Sequence, residues 1–361
     1  MRLICLDIGS GTQDILLLDT KQSVENAIQM VLPSPTVLVA QKIKAATACG
    51  DSIVLVGETM GGGPCTYALK RHLEAGFKVY ATPSAARSFS DYLEKIASWG
   101  VQLVSPDEVA SIKTDTLIRL EDISLDVIEK ALSYWDIRFV PDVVSVAILD
   151  HGAAPAGESQ RLFRFRQLEH LLEQTSTLES FIFTPAELPD YFTRMQAVVR
   201  SLDRTVPLVL MDTGAAAVLG ASLDRAVAVH PHRLAVNLGN SHALAFLLDG
   251  RRVLGLFEHH TSRLSLAKLE TLLGKLISGG LGLREVWEDG GHGSLTMEKG
   301  ESPFLVATGP RRTLLTSSSL NPYFAAPFGN MMLAGCFGLA QAVAIKFPEW
   351  RGEIEKVLLS G

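Results

Sequence analysis

Three observations predict an α/β protein built on a partly parallel sheet. Apolar runs of strand length alternate with helical patterns through the first half of the chain. A tight glycine hairpin occurs twice, at Gly9–Ser10–Gly11 and at Gly239–Asn240–Ser241. Two further stretches, around Gly214 to Leu223 and Gly335 to Phe347, read as helices of mostly small residues against which another element can pack closely. At 361 residues, and about 150 per domain, the chain has room for two or three domains. Hydrophobic residues at 47% and charged residues at 20% describe a globular protein and exclude a disordered or fibrous one. Lys+Arg 33 against Asp+Glu 39 gives a net charge of -6, so no nucleic-acid partner is expected.

The elements follow in order. Leu3–Leu6 and Ile15–Leu18 are the strands of the first hairpin, and Val37–Ala40 and Ile53–Val56 read as further strands. A helix runs from about Pro64 to Ala75, then strand Phe77–Ala81, a helix from about Ala85 to Ser98, and strand Val101–Val104. Leu125–Tyr134 is a helix and Val143–Leu149 an interior strand. Residues 152–207 are more polar, carry Pro155, Pro185 and Pro189, and read as a helical insertion or cap. Leu208–Met211 is a strand before the first small-residue helix. Leu234–Asn237 and Ala243–Leu248 form the second hairpin, and Val253–Phe257 follows the Asp249–Gly250 turn. Leu264–Leu276 is an amphipathic helix and Phe304–Thr308 a strand. The longest apolar runs are too short to span a membrane, and the first, Leu3–Leu6, ends at Asp7, which does not suit a signal peptide. Cys5, Cys49, Cys65 and Cys336 show no paired spacing, as expected of reduced thiols in a cytoplasmic protein.

The hairpins carry the chemistry. Asp7 ends a strand, and Gly9, Ser10, Gly11, Thr12 and Gln13 form a turn whose backbone N–H groups can face an anion. Asp7 beside such a nest could hold a hydrated magnesium ion; a plain tight turn explains the same residues. The second hairpin repeats the design with Asn237, Gly239, Asn240 and Ser241, followed directly by His242, a potential phosphate donor. Between them, Asp212 heads the Ala-rich helix, as general base or as N-cap. Thr308–Gly309–Pro310–Arg311–Arg312 is a strand running into a glycine turn.

This order of elements resembles the superfamily of actin, sugar kinases and heat-shock chaperone ATPases. The resemblance implies two ribonuclease-H-like lobes closing on ATP and Mg2+ between two phosphate hairpins. Lobe one would take residues 1–225, completed by 329–361, and lobe two would take 226–328. Gly309, Pro310 and Arg311 would form the adenosine turn. Two departures stand out: Asn237 replaces the aspartate that usually opens the second hairpin, and Pro310 interrupts the usual glycine run.

Several stretches, Gly57 to Pro64, Asp150–His151–Gly152, Arg161 to Arg166, Glu258 to Thr261, Gly291–His292–Gly293 and Thr308 to Arg312, are similar to a prokaryotic family often labelled as pyruvate formate-lyase activating enzymes. That label implies an iron–sulfur cluster on closely spaced cysteines. The closest pair here, Cys49 and Cys65, is sixteen positions apart, which does not suit cluster ligation.

Other candidates remain open in the sequence. Gly61, Gly62 and Gly63 precede a helix opened by Pro64 and could receive the acidic group of a second substrate, or mark a close backbone crossing. Arg164 and Arg166 would share one face if their alternating stretch is a strand, forming an anion clamp or an edge protected by charge. His151, His242, His259, His260 and His292 could form a divalent metal site or pack as hydrogen-bonded cleft residues, and only one of the adjacent pair His259 and His260 can face a given site. The expectation is an ATP- and magnesium-dependent phosphotransferase acting on a small polar or acidic metabolite. The rivals are a nucleotide-driven switch that activates a partner enzyme, and a histidine-based metal hydrolase.

Overall fold

The computed structural model describes residues 1–114, 116–202 and 205–360. Two six-stranded sheets share a five-strand order. In the first, Arg2–Ile8 pairs antiparallel with Thr12–Asp19, which pairs antiparallel with Ile28–Pro33. On its other edge Arg2–Ile8 runs parallel to Val143–Ile148, and that strand parallel to Leu208–Asp212. In the second, His232–Leu238, His242–Asp249 and Arg252–His260 form the antiparallel run, and Phe304–Thr308 lies parallel to His232–Leu238. A meander of three strands followed by parallel additions on the first strand's free edge, made twice, is a pair of ribonuclease-H-like lobes. The fold is therefore α/β and of the actin-like ATPase type, as the hairpins and helices imply.

The two small-residue helices, Thr213–Ala221 and Ala334–Lys346, join and separate the sheets. Every residue of the first is buried except Thr213. A Cβ on Gly220 would overlap the Ala334 carbonyl oxygen, and one on Gly338 would overlap that of Ala216. The helices thus cross at backbone contact, which only glycine permits. One hydrophobic core gathers round this crossing and takes side chains from both sheets, among them Leu3, Cys5, Ala216, Phe337, Ala235 and Phe246.

Several elements depart from the sequence reading. Val37–Ala40 lies in the helix Pro35–Cys49, not in a strand. Its buried residues Thr36, Val39, Ala40, Ile43 and Ala46 have helical spacing, and Pro35 suits the first turn. The helix expected from Ala85 to Ser98 is two short helices, Pro83–Ala86 and Leu93–Ser98. Residues 53–120 build a separate four-stranded parallel sheet from Val101–Leu103, Val79–Ala81, Ile53–Gly57 and Thr116–Leu120, in that order. Residues 152–207 are largely helical, with Gln160–Gln174 and Thr193–Ser201, but they also give the edge strand Ile182–Phe183 to the first large sheet. The alternating arginine stretch belongs to Gln160–Gln174 and is not a strand. Phe163, Arg164 and Phe165 are all buried there with Leu168, Leu171 and Leu172, while Arg166, Glu169, His170 and Glu173 form the exposed stripe, so Arg164 is a cation on the apolar face. No helix among the described residues is long and apolar enough to cross a membrane.

Candidate functional site

The two hairpins meet tip to tip. Gly9 N–H donates to the Thr12 carbonyl and Gly239 N–H to the His242 carbonyl, each at 2.9 Å, so both turns close the same way. Ser10 Oγ and Ser241 Oγ lie 2.6 Å apart, and a Cβ on Gly11 would run into the Asn240 side chain. Antiparallel register places Asp7 opposite Asp14 on the first hairpin. Asp7 Oδ1 accepts from Thr213 Oγ1 at 2.5 Å, while Gly335 covers Oδ2 so closely that a Cβ there would overlap it. Burial pushes the Asp7 carboxyl up to about 7, with the Asp212 charge adding to the effect. Burial, then the charge of Asp7, pushes Asp14 up to about 8. Asp14 Oδ1 has no hydrogen-bond partner among the described residues. A cavity of about 70 Å³ lies here, bounded by Asp7, Asp14, Asn237, Gly309, Pro310 and Met331.

Asp212 caps the helix Thr213–Ala221, its Oδ1 accepting from Gly214 N–H at 3.0 Å. Its Oδ2 accepts from Arg164 Nη2 at 2.8 Å. Both oxygens of the expected general base are therefore engaged. Arg164, 2% exposed, is the hub of this region: Nε donates to Glu258 Oε2 at 2.8 Å and Nη1 to the Asp150 carbonyl at 2.9 Å. Arg166, two positions along the same helix, is exposed and paired with Glu158. The two arginines are a buried hub and a surface cation, and they form no common clamp.

Beside the hairpin tips lies a larger cavity of about 310 Å³, whose walls include Ser10, Gly61, His151, Arg194, His242 and Glu258. Gly62 and Gly63 also line it, so the glycine segment and the histidines share one space. Gly61 is held against Arg194, whose Nη2 lies 2.7 Å from where a Cβ would stand, and Gly63 has φ +32°. Arg194 in turn makes two bonds to Asp122, at 2.7 and 2.9 Å.

At this cavity His151, His242 and Glu258 join with His292 behind them, each offering a donor atom, all within 4.8 Å of one another. His151 follows the first sheet's strand Val143–Ile148, in a turn fixed by Asp150, whose carboxylate accepts from the N–H groups of Gly152, Arg194 and Met195. His242 begins the return strand of the second hairpin. Glu258 lies opposite both Leu244 and Gly293, which brings His292 alongside. Burial first, and neighbouring histidines second, hold His151 and His292 well below the ordinary imidazole range. Burial also lowers His242, against the pull of Glu258. Burial opposes ionisation of Glu258, yet Arg164, His242 and His151 keep it below the ordinary carboxylate range. His260, lowered to about 4 by burial and then by His242, borders the group with its ring 4.8 Å from that of His292. His259 faces the other way and binds Asp289 through Nε2 at 2.9 Å.

The remaining expected residues are placed as follows. Asn237, Gly239 and Asn240 line both cavities, and Thr12 lines the smaller one. Gln13 turns out to the Pro33 carbonyl. Gly309, at φ +93°, forms the expected turn with Pro310, while Arg311 contributes its N–H to the Leu238 carbonyl at 2.8 Å. Sequence reasoning did not single out Asp14 and Glu258 as site residues. Asp14 was legible from hairpin symmetry, since it lies opposite Asp7; Glu258 had no local signal beyond its histidine neighbours.

Residues 60–314 match the family described as "Putative pyruvate format-lyase activating enzyme (DUF1786)", and the chain belongs to that family. No curated protein matches it. Among solved structures it is similar to the ethanolamine utilization protein EutJ from Carboxydothermus hydrogenoformans, at 10% identity over 94% of this chain and 89% of that one, TM-score 0.32. It is also similar to the activator of the 2-hydroxyisocaproyl-CoA dehydratase from Clostridium difficile with bound ADPNP, at 11% identity over 98% of each chain, TM-score 0.31. A ROK hexokinase from Thermus thermophilus matches at 14% identity over 70% of this chain and 49% of that one, TM-score 0.21. The chain's own strand order, and not these likenesses, establishes the architecture. The cysteines do not fit the iron–sulfur cluster that the family's description implies. Cys5, Cys65 and Cys336 are buried, Cys49 is exposed, and burial pushes the Cys65 thiol up to about 12, far from the thiolate a cluster needs.

Proposed function

We propose that this family member binds a magnesium nucleotide between its two hairpins and transfers the terminal phosphoryl group to a small polar or acidic metabolite held in the larger cavity. The observation that supports this most is the buried pair Asp7 and Asp14, placed across the first hairpin where the second hairpin closes on it. Two buried carboxylates whose protonation changes near neutrality, one with an oxygen that has no partner among the described residues, form a donor set that a cation satisfies. A hydrated magnesium ion fits this donor set of hard oxygens. Bound with a nucleotide, it would supply neutralisation of the phosphate charge.

The chain's own residues have the remaining tasks. The glycine turns let backbone N–H groups approach the phosphates. The Ser10 and Ser241 hydroxyls, now bonded to each other, would separate and turn to the phosphate oxygens. The cavity of about 70 Å³ beside Gly309 is far below the roughly 300–1,000 Å³ of ligand pockets, so entry of base and sugar requires the lobes to part. Closure then excludes water from the transfer. The cavity of about 310 Å³ is at the small end of the ligand-pocket range of roughly 300–1,000 Å³, which suits a small acceptor.

Asp212 favours a second reading, a nucleotide-driven switch acting on a partner enzyme. With one oxygen on Gly214 N–H and the other on Arg164, it is better fitted to fix the helix and the guanidinium than to accept a substrate proton. Calorimetric titration with ATP and ADP, with and without magnesium, combined with phosphate-transfer assays against small hydroxy and carboxy metabolites, tests both readings. Magnesium-dependent binding with transfer supports the phosphotransferase. Binding without transfer leaves the switch, and no binding at millimolar nucleotide overturns both.

A further inference from the structure

We infer that His151, His242, Glu258 and His292 form a site for one divalent transition-metal ion, of the zinc or iron(II) class, that ties the first lobe to the second. The site is separate from the magnesium pair at Asp7 and Asp14 and does not depend on the nucleotide reading.

Three features point to it. The first is convergence. His151 comes from the first sheet's side of the cleft, and the other three come from consecutive strands or strand ends of the second, yet one donor atom from each lies within 4.8 Å of the rest. With metal–ligand bonds of about 2.0–2.2 Å, tetrahedral donors stand roughly 3.3–3.6 Å apart, so the group needs only a small contraction to close on an ion.

The second feature is unmet hydrogen bonding. Glu258 is 0% exposed and His292 1%. Glu258 Oε1 lies 3.1 Å from His292 Nδ1, yet neither atom makes a hydrogen bond, and His292 Nε2 has no partner among the described residues either. Buried polar atoms are rarely left in this state, because each loses its bonds to water without gaining a partner. Lone pairs of a carboxylate and an imidazole directed into shared space are an arrangement that a cation satisfies.

The third feature is the support behind the ligands. Arg164 holds Glu258 Oε2, leaving Oε1 for the ion, and itself rests on Asp212 Oδ2 and the Asp150 carbonyl. The Asp150 carboxylate fixes the turn that carries His151. Outer partners that fix a ligand's orientation are a regular part of metal sites. Three nitrogen donors and one oxygen select borderline ions over magnesium or calcium, which prefer all-oxygen sites. His151, His242 and Glu258 also line the larger cavity, so an ion here presents one side to whatever that cavity holds.

The test is titration of chelator-stripped full-length protein with Co2+, read by its visible absorption bands and by Zn2+ competition, alongside elemental analysis of untreated protein. One equivalent of Co2+ should bind, displaced by one of Zn2+. His292→Ala and His151→Ala, which remove a ligand from opposite lobes, should each weaken binding by at least about 10–100-fold, the usual cost of disturbing a metal site. His259→Ala, outside the group, and Asp7→Ala, at the other site, should keep full Co2+ affinity. Absence of stoichiometric Co2+ binding to the wild-type chain overturns the inference whatever the variants do. So does unchanged affinity in both folded ligand variants. Loss of nucleotide binding with Co2+ binding intact would sink only the reading above.

Discussion

The two hairpins share a backbone and differ in charge. On the first, Asp7 faces Asp14 across the ladder and Ala147 on the parallel side; on the second, the matching positions are Asn237, Leu244 and Thr308. The covering glycines differ in the same sense. Gly335, from the second small-residue helix, packs on the Asp7 carboxylate, whereas Gly214, from the first, packs on the Leu244 side chain. One lobe therefore brings the carboxylates and the other brings an amide, a leucine and, one turn away, His242. Had both hairpins carried acid pairs, closing the lobes would have brought four carboxylates together in a buried space, a repulsion that only a well-filled cation site could offset. The asymmetry keeps acids to one side of the hairpin contact itself, and the second lobe's buried carboxylate beyond it, Glu258, is paired with Arg164.

The largest expected effect comes from removing the charged side. Asp7→Ala should weaken magnesium-dependent nucleotide binding by more than about 100-fold, a few kcal/mol for a buried charged contact, while Asn237→Ala should cost less than about tenfold. Calorimetry on both variants measures the difference, and equal losses would remove the basis for assigning the metal to the first hairpin. Arg164→Met comes next, because this residue joins the two sides by bonding Asp212 and Glu258 at once. Removing it leaves two buried carboxylates without their cation and should cost about 3–5 kcal/mol in denaturant unfolding. Arg166→Ala, which breaks an exposed pair with Glu158, should cost at most about 1 kcal/mol. A similar loss from both would contradict the placement of Arg164.

How much of this was legible beforehand follows the same division. The hairpins and small-residue helices were legible because their chemistry is local: a glycine turn, a strand end and a run of alanines declare themselves within a dozen residues. The histidine group was half legible. Its members are separated by up to 141 positions, His151 to His292, and only sheet register brings Glu258 beside His292. Arg164 was misread for a physical reason. Within residues 161–166 a buried cation on the apolar face makes arginines and phenylalanines alternate like a strand, and the helical spacing of the exposed Arg166, Glu169, His170 and Glu173 shows only over the longer stretch. Three strands of the four-stranded sheet were legible as apolar runs between helices, but the fourth, Thr116–Leu120, was missed because it carries Arg119 in a short run and pairs over a long sequence distance.

The pH dependence of stability separates the lobes further. Asp7 and Asp14, raised to about 7 and about 8, bind protons more tightly when folded than when unfolded. Their contribution is complete below the ordinary aspartate value of about 4 and is lost as pH rises through about 7 to 8. The metal-free protein should therefore lose melting temperature across that window, by several degrees, and magnesium with nucleotide should recover part of it. Asp14→Asn should flatten this decline. The second lobe acts at the other end: His292 and His242, lowered by burial, contribute stability that is present above about 6.5 and lost as pH falls. A decline between about pH 4 and 8 unchanged in Asp14→Asn would show that the carboxylate pair does not titrate as its burial requires.

A smaller effect than those of Asp7 and Arg164 comes from making the hairpins alike. Asn237→Asp alters one atom's chemistry and no shape, so any response reports charge alone. Asn237 Oδ1 lies against Gly309, where a Cβ would stand only 2.5 Å away, so the new carboxylate would enter the same small cavity as Asp7 and Asp14. Without metal, a third acid in that space should lower stability at pH 8 by about 1–2 kcal/mol, since like charges in a shared buried site disfavour ionisation. With magnesium the sign should reverse, because another oxygen of full charge strengthens a hard-cation site. A gain of a few-fold in magnesium affinity beside a loss of metal-free stability would show that asparagine keeps the cleft closed at the expense of metal binding. A loss in both would mean that the second hairpin stands too far from the ion to contribute, and that the first hairpin holds it alone.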